Sequence, residues 1–353
     1  MTTVETVLGE VPTSSLGRVL MHEHVFCDTS LEYRGDGLLH DVRLATEELA
    51  PLASEPTTVV DLSTQEIGRR PKDLREVSRA TGVHIVMGCG HYRDPYLDRA
   101  TFDRSSVPEL TERLVREIQE GVDGVRPGII GEIGADRGFV SAAEERSLRA
   151  AARAQARTGL TISTHSARWP VARAQLEILR EEGADPTRVV VGHLDTVPDP
   201  ALHLEVAQAG SFVELDSVGT TSAYQDGRIV EYVLALVRAG HLDRVLLSQD
   251  VSSARTSERT ADTATAISSR RSCRGSCVPA STPRRSIGSS STILRERSPE
   301  RDLTPAWTAA RRPGSDRRGP RARRPPPART TGRGGGTTTP LPCTARGWRS
   351  WPR

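Results

Sequence analysis

Between residues 19 and 250 the chain repeats one unit: a short apolar run, a polar loop, an amphipathic run at helical spacing and a glycine stop. The short runs cover residues 19–26, 58–62, 83–87, 128–133, 160–165, 188–193, 211–215 and 244–250, and each has the length and composition of a buried strand. The longer runs carry helix signals. Ser106 with Glu109, and Ser141 with Glu144, fit capping boxes. Leu110, Leu114 and Ile118 share one helical face, and Asp199-Pro200 supplies an N-cap followed by proline in the first turn. Gly159, Gly183, Gly210 and Gly240 stand where helices should stop. Eight units with near-continuously apolar strands predict an α/β fold, a parallel sheet closed into a (β/α)8 TIM barrel. An open doubly wound sheet is the alternative, but no glycine-rich phosphate loop follows the first strand.

The polar residues within this pattern fall at strand ends. His165, His193 and Asp250 each close an apolar run, and Glu132 sits near the end of its own. The first strand carries His22 and His24, which side-chain alternation places on one side. In a barrel of this kind the C-terminal strand ends converge on one mouth, where the chemistry is done. Residues as distant in sequence as His22 and Asp250 therefore become neighbours. Four imidazoles and two carboxylates exceed the three protein ligands of one catalytic zinc and suit two divalent metals about 3.5–4 Å apart.

Composition divides the chain. Its net charge of +3 is the sum of two unlike parts. Residues 1–251 hold 26 Arg and Lys against 39 Asp and Glu, whereas residues 252–353 hold 22 Arg against 6 Asp and Glu. The second part has no His, Lys, Phe or Tyr and no sustained apolar period. Such a stretch cannot bury enough apolar surface to offset its ordering entropy, so we expect a disordered, low-complexity tail. A basic arm of this kind can bind nucleic acid or an acidic surface, or be inert. The reading favoured here is an out-of-frame product beginning just after Asp250, which would leave the barrel poorly closed at its C-terminal end and impair activity.

The first ten residues show no apolar signal segment, and no run approaches the ~18 apolar residues of a membrane span. Five cysteines, odd and sparse, argue against a disulfide framework, and a cytoplasmic enzyme is expected. Cys27 and Cys89 read as small buried hydrophobes rather than nucleophiles. His40, His84, His91, His203 and His241 lack strand-end placement with partners, although His91 falls in a mouth loop.

Several stretches together resemble the phosphotriesterase family of the amidohydrolase superfamily, and within it the phosphotriesterase homology proteins. They are residues 16–24, which end in Met21-His22-Glu23-His24, and then Gly131-Glu132-Ile133-Gly134, Thr164-His165, Gly192-His193 and Ser248-Gln249-Asp250. The likeness spans about residues 4–251, and Thr6-Val7-Leu8-Gly9 looks like the family's N-terminal hairpin. It implies that His22, His24 and Asp250 hold one metal, His165 and His193 the other, with Glu132 bridging. Many family members bridge with a modified lysine, but the one lysine here, Lys72, lies at a helix start far from any strand end.

The implied reaction is hydrolysis of an ester, lactone or phosphoester by a metal-bridging hydroxide, with two divalent ions, most simply zinc, and Asp250 as proton acceptor. Tyr92 resembles an aromatic that family lactonases place at the mouth, while Asp216-Ser217 departs from the Arg or His expected after the seventh strand. Asp61, Thr64 and Gly68-Arg69 resemble a supporting pattern. A small-molecule substrate is implied and a homodimer is consistent with the resemblance, with no membrane partner and no nucleic-acid partner expected. A TatD-like metal nuclease uses a similar ligand set and is the alternative enzyme class. An inactive barrel with a nucleic-acid-binding tail is the other alternative.

Overall fold

The computed structural model describes residues 2–253. The expectations for the tail, its disorder and its frame, lie outside them.

The chain opens with an antiparallel hairpin of β1 (Thr3–Thr6) and β2 (Gly9–Pro12). Gly9 turns it at φ 112°, a conformation open to a residue without Cβ, and the Thr6 hydroxyl donates to the Gly9 carbonyl at 2.7 Å. Val4 of this hairpin packs with Val60, Val86, Ile129 and Val190, so the hairpin plugs one end of the barrel. After β3 (Arg18–Glu23) a two-residue pair, β4 (Cys27–Asp28) and β5 (Leu38–Leu39), encloses the short helix α1 (Ser30–Tyr33). That pair is too short to leave a sequence pattern.

Helices and strands then alternate. Helix α2 (Val42–Leu49) leads to β6 (Thr57–Asp61), and α3 (Pro71–Thr81) to β7 (His84–Cys89). The short α4 (Arg99–Phe102) and long α5 (Val107–Glu120) precede β8 (Ile129–Gly134). Next come α6 (Ala142–Thr158), β9 (Ile162–His165), α7 (Ala172–Glu181) and β10 (Val189–Gly192). The series ends with α8 (Pro200–Gln208), β11 (Phe212–Leu215), α9 (Ala223–Arg238) and β12 (Val245–Leu247). Both capping boxes form: Ser106 and Ser141 each accept from the N–H three residues on, and Glu109 and Glu144 reach back.

Eight strands make one parallel sheet in the order β3, β6, β7, β8, β9, β10, β11, β12. Neighbours in space are consecutive in sequence, whereas a doubly wound sheet reverses its order at a switch point. The two ends of that order meet. The His22 N–H donates to Ser248 Oγ at 3.0 Å, and the Asp250 N–H donates to the His22 carbonyl at 3.1 Å. The architecture is the expected TIM barrel, and among the described residues no helix follows β12.

Strand alternation sorts the core into two shells. Val60, Val86, Val190, Phe212 and Leu246 fill the barrel interior, while Val59, Ile85, Val189, Val191, Val213 and Val245 pack outward against the helices. At roughly 25 cal/mol per Å² of apolar area removed from water, these two shells are the main favourable term holding the barrel together. Glu214, on β11 between Val213 and Leu215, therefore points inward. No helix among the described residues is long and apolar enough to cross a membrane.

Candidate metal centre

Strand geometry brings all six expected residues to one mouth, although several strands are shorter than the sequence suggests. The ladder between β3 and β6 shifts register between Leu20 and Glu23, an irregularity of the kind that re-aims side chains beside active sites. His22 ends up fully buried, with its ring 5.6 Å from that of His24, which lies just beyond the strand. His193 follows β10 at φ 60°, and Asp250 follows β12 at φ 46°. Both leave the strand in the left-handed region that L-residues rarely adopt. Each turns its side chain across the mouth instead of continuing the sheet.

Glu132 is the hub. Its Oε1 lies 2.5 Å from His165 Nδ1, 2.5 Å from His193 Nε2 and 3.5 Å from His22 Nε2. Two groups of converging donor atoms share it: His22 and His24 with Glu132, and His165 and His193 with Glu132. Asp250 closes the open side, with Oδ1 3.3 Å from His24 Nε2 and 4.0 Å from His22 Nε2. Burial alone would raise the Glu132 pKa, but His165, His22 and His193 hold it well below the usual carboxylate range.

Three imidazoles are oriented from behind. The Ser63 hydroxyl donates to the Phe26 carbonyl at 2.6 Å, so toward His24 Nδ1, 2.9 Å away, it can only accept. The proton of His24 therefore sits on Nδ1, and Nε2 offers its lone pair to the mouth. Asp216 Oδ1 takes His193 Nδ1 at 2.9 Å in the same way. His22 Nδ1 faces Glu214 Oε2 at 3.1 Å and Asp216 Oδ2 at 3.3 Å. His22 Nε2 is buried without a hydrogen-bond partner, an arrangement a ligating nitrogen explains and a merely structural one does not. Carboxylate and hydroxyl groups behind imidazoles are the usual support of metal-ligating histidines. The donor set thus fits divalent-metal binding.

Burial disfavours a charged His22 ring, yet Glu132, Glu214 and Asp216 outweigh it and push its pKa up to about 10. Desolvation would raise the Asp216 carboxyl too, but the two imidazoles it serves, His193 foremost, hold it below the usual carboxylate range.

Sequence reasoning missed Glu214 altogether and noted Asp216 only as a departure after the seventh strand, not as the partner of His193. The period-2 signal is present, since Phe212, Glu214 and Asp216 alternate with apolar Val213 and Leu215 on one face of the strand. Their task becomes visible only once His22 and His193 are placed beside them.

Other expectations also resolve. Tyr92 is buried with its hydroxyl 3.4 Å from His165 Nδ1, which places it at the mouth. His91 pairs with Glu66 at 2.7 Å and packs edge-on against Phe102, outside the cluster. His203 Nε2 lies 2.8 Å from the Leu194 carbonyl, and a backbone partner of that kind makes it structural. Burial pushes the Cys27 and Cys89 thiols well above their ordinary range, which suits packing and not nucleophilic attack. Asp61 accepts from the Val25 and Ser63 N–H groups, each at 2.9 Å, and so shapes the turn carrying His24. Arg69 donates to the Gly88 carbonyl, also at 2.9 Å, tying its loop to β7. Lys72 is exposed on α3, 3.5 Å from Asp123.

A parallel barrel with a histidine-carboxylate cluster at its C-terminal mouth defines a metal-dependent hydrolase class. The profile of the phosphotriesterase family matches residues 2–264, and the chain belongs to that family. It is 34% identical over 239 residues to the phosphotriesterase homology protein of Escherichia coli (strain K12), covering 67% of this chain and 82% of that one. It is also 33% identical over 294 residues to N-acetyltaurine hydrolase of Rattus norvegicus, covering 70% and 84% respectively. Among solved structures, the E. coli phosphotriesterase homology protein complexed with phosphate in its active site superposes with a TM-score of 0.67 at 31% identity, covering 74% of this chain and 93% of that one. A resiniferatoxin-binding protein from Rhodobacter sphaeroides gives 0.65 at 33%, covering 71% and 82%. The family match runs past Asp250, where the apolar pattern stops.

Proposed function

We propose that the chain is a binuclear, zinc-dependent hydrolase of small ester, lactone or phosphoester substrates. His22, His24 and Asp250 would hold one ion and His165 and His193 the other, with Glu132 shared by the two groups. The observation that carries this reading is the single oxygen Glu132 Oε1 lying within 3.5 Å of three imidazoles drawn from three different strand ends. When bound, such a pair would supply water acidified toward a pKa of about 7 and a Lewis acid for the substrate oxygen.

The protein's own groups do the rest. Asp250 is the one partly exposed carboxylate of the cluster, its side chain 27% accessible against 1% for Glu132. It accepts the proton released as the water oxygen bonds to the acyl carbon or phosphorus, and passes it to the departing alcohol. Glu214 and Asp216, with no exposure, keep His22 and His193 in the tautomer that faces inward. The Tyr92 hydroxyl beside His165 orients the substrate.

Amide hydrolysis is the second reading, favoured because several relatives are named N-acetyltaurine hydrolase. A cytoplasmic location and a homodimer complete the proposal, the latter tested by sizing chromatography. The activity test is a panel of lactones, aryl esters, a phosphotriester, N-acetyltaurine and single-stranded DNA, assayed with zinc for the wild type and His165→Ala. Zinc-dependent turnover of an ester, lactone, phosphotriester or N-acyl amide, lost in the variant, supports the hydrolase. Cleavage of DNA alone moves the assignment to the nuclease class.

A further inference from the structure

Glu23 ends β3 between His22 and His24, and the proposed chemistry gives it no task. Its carboxylate is buried, and among the described residues it has no Arg, Lys or His partner within ion-pair distance. It turns away from the metal cluster toward the chain that follows β12. Oε1 accepts from Ser248 Oγ at 2.7 Å and from the Gln249 N–H at 2.9 Å, and Oε2 accepts from the Val251 N–H at 3.1 Å. A carboxylate withdrawn from water without a counter-charge is costly unless several donors replace its hydration, and here three do.

Those donors bracket Asp250. The residues on either side of it give their backbone N–H groups to Glu23, while its own N–H goes to the His22 carbonyl at 3.1 Å. Ser248 completes the lattice by accepting the His22 N–H at 3.0 Å while donating to Glu23. Asp250 itself sits at φ 46°, a conformation an L-residue keeps only when its surroundings over-determine it. In this conformation Asp250 Oδ1 faces His24 Nε2 at 3.3 Å.

We propose that Glu23 is the positioning residue for Asp250: by clamping Gln249 and Val251 it fixes the backbone that aims the Asp250 carboxylate at the His22/His24 metal position. This inference rests on the binuclear reading above. It predicts that Glu23 tunes one metal of the pair and not the other, since its bonds go to both neighbours of Asp250, on the His22/His24 side of the mouth.

The test is a cobalt(II) titration of the metal-stripped full-length chain, followed by its visible ligand-field bands and by competition with a chelator. The proteins compared are wild type, Glu23→Gln, Asp250→Asn and the double variant. Glu23→Gln keeps the shape of the side chain and one acceptor oxygen, but sets an NH2 group against one of the backbone donors. Wild type should take up two equivalents. Glu23→Gln should bind one of them unchanged and the other 10–100-fold more weakly, the range seen when support behind a ligand is removed. Adding Glu23→Gln to Asp250→Asn should cost nothing further, because Glu23 acts through Asp250.

Wild-type-like uptake of both equivalents by Glu23→Gln, whatever its thermal midpoint, reduces Glu23 to a structural clamp and overturns the proposal. Losses that multiply in the double variant overturn it as well. If Glu23→Gln does not fold, Glu23→Asp keeps the charge but draws the carboxylate back by one methylene from its three donors. It should weaken the same equivalent by up to about tenfold, and no change would overturn the proposal. A wild-type chain that takes up no cobalt rejects the binuclear site itself, and this role with it.

Discussion

Asp216 grips His193 at two points, accepting the backbone N–H at 2.7 Å through Oδ2 and the ring Nδ1 at 2.9 Å through Oδ1. The first bond holds the left-handed turn that carries His193 out of β10, and the second fixes the ring so that Nε2 faces Glu132. One side chain thus sets both the backbone and the tautomer of a ligand. Asp216→Asn leaves the shape intact but offers one oxygen where two acceptors are needed. Metal affinity should fall 10–100-fold, measured by chelator competition, while the far-ultraviolet circular dichroism stays unchanged.

Glu144 ties two mouth loops to one helix start. Beyond its capping box it accepts from the Asp94 N–H at 3.0 Å and the Asp136 N–H at 2.8 Å, joining the loops after β7 and β8 to α6. Ser141→Ala removes the cap alone and should cost about 1 kcal/mol in urea unfolding. Glu144→Ala also leaves the half-buried Asp94 and Asp136 N–H groups without this acceptor and should cost about 1–3 kcal/mol. Equal losses for the two would show that the loops do not depend on Glu144.

Gly17 marks the entry to β3. Its φ is 62°, and a Cβ there would stand 1.9 Å from the Pro56 carbonyl oxygen, the same oxygen that accepts the Arg18 N–H at 2.9 Å. Gly17→Ala should therefore destabilise the chain by about 2–4 kcal/mol, combining left-handed strain with overpacking, and lower the thermal midpoint. Because β3 carries His22, metal affinity should fall with it.

The charge division between residues 1–251 and 252–353 predicts distinct column behaviour. At low salt the full chain should be held by an immobilised polyanion and released as ionic strength rises, because 22 Arg face 6 acidic residues in the second part. A variant ending at Val251, in which acidic residues outnumber basic ones 39 to 26, should pass through. Retention of both would place the binding surface on the barrel.

Most of the site was legible because a barrel converts sequence position into spatial position: a polar residue at the end of an apolar run is a residue at the mouth. His22, Glu132, His165 and His193 follow from that rule. The strand ends were less legible. His193 and Asp250 read as the last residues of strands, yet both leave the sheet through left-handed backbone, which depends on the tertiary bonds from Asp216 and His22. Glu23 and Glu214 were hidden for a related reason. Each serves a partner about 190 residues or more away in sequence, and no local periodicity reports such pairs. The register shift of β3 between Leu20 and Glu23 likewise comes from pairing with β6 and not from composition.

The most direct measurement is the metal content of the purified chain, dialysed against zinc and then metal-free buffer, for wild type and His165→Ala. Two equivalents in the wild type and one in the variant are predicted, because His165 serves only one of the two groups that share Glu132. No retained metal in the wild type, or the same content in both proteins, would contradict the caged pair of ions on which the proposed hydrolase depends.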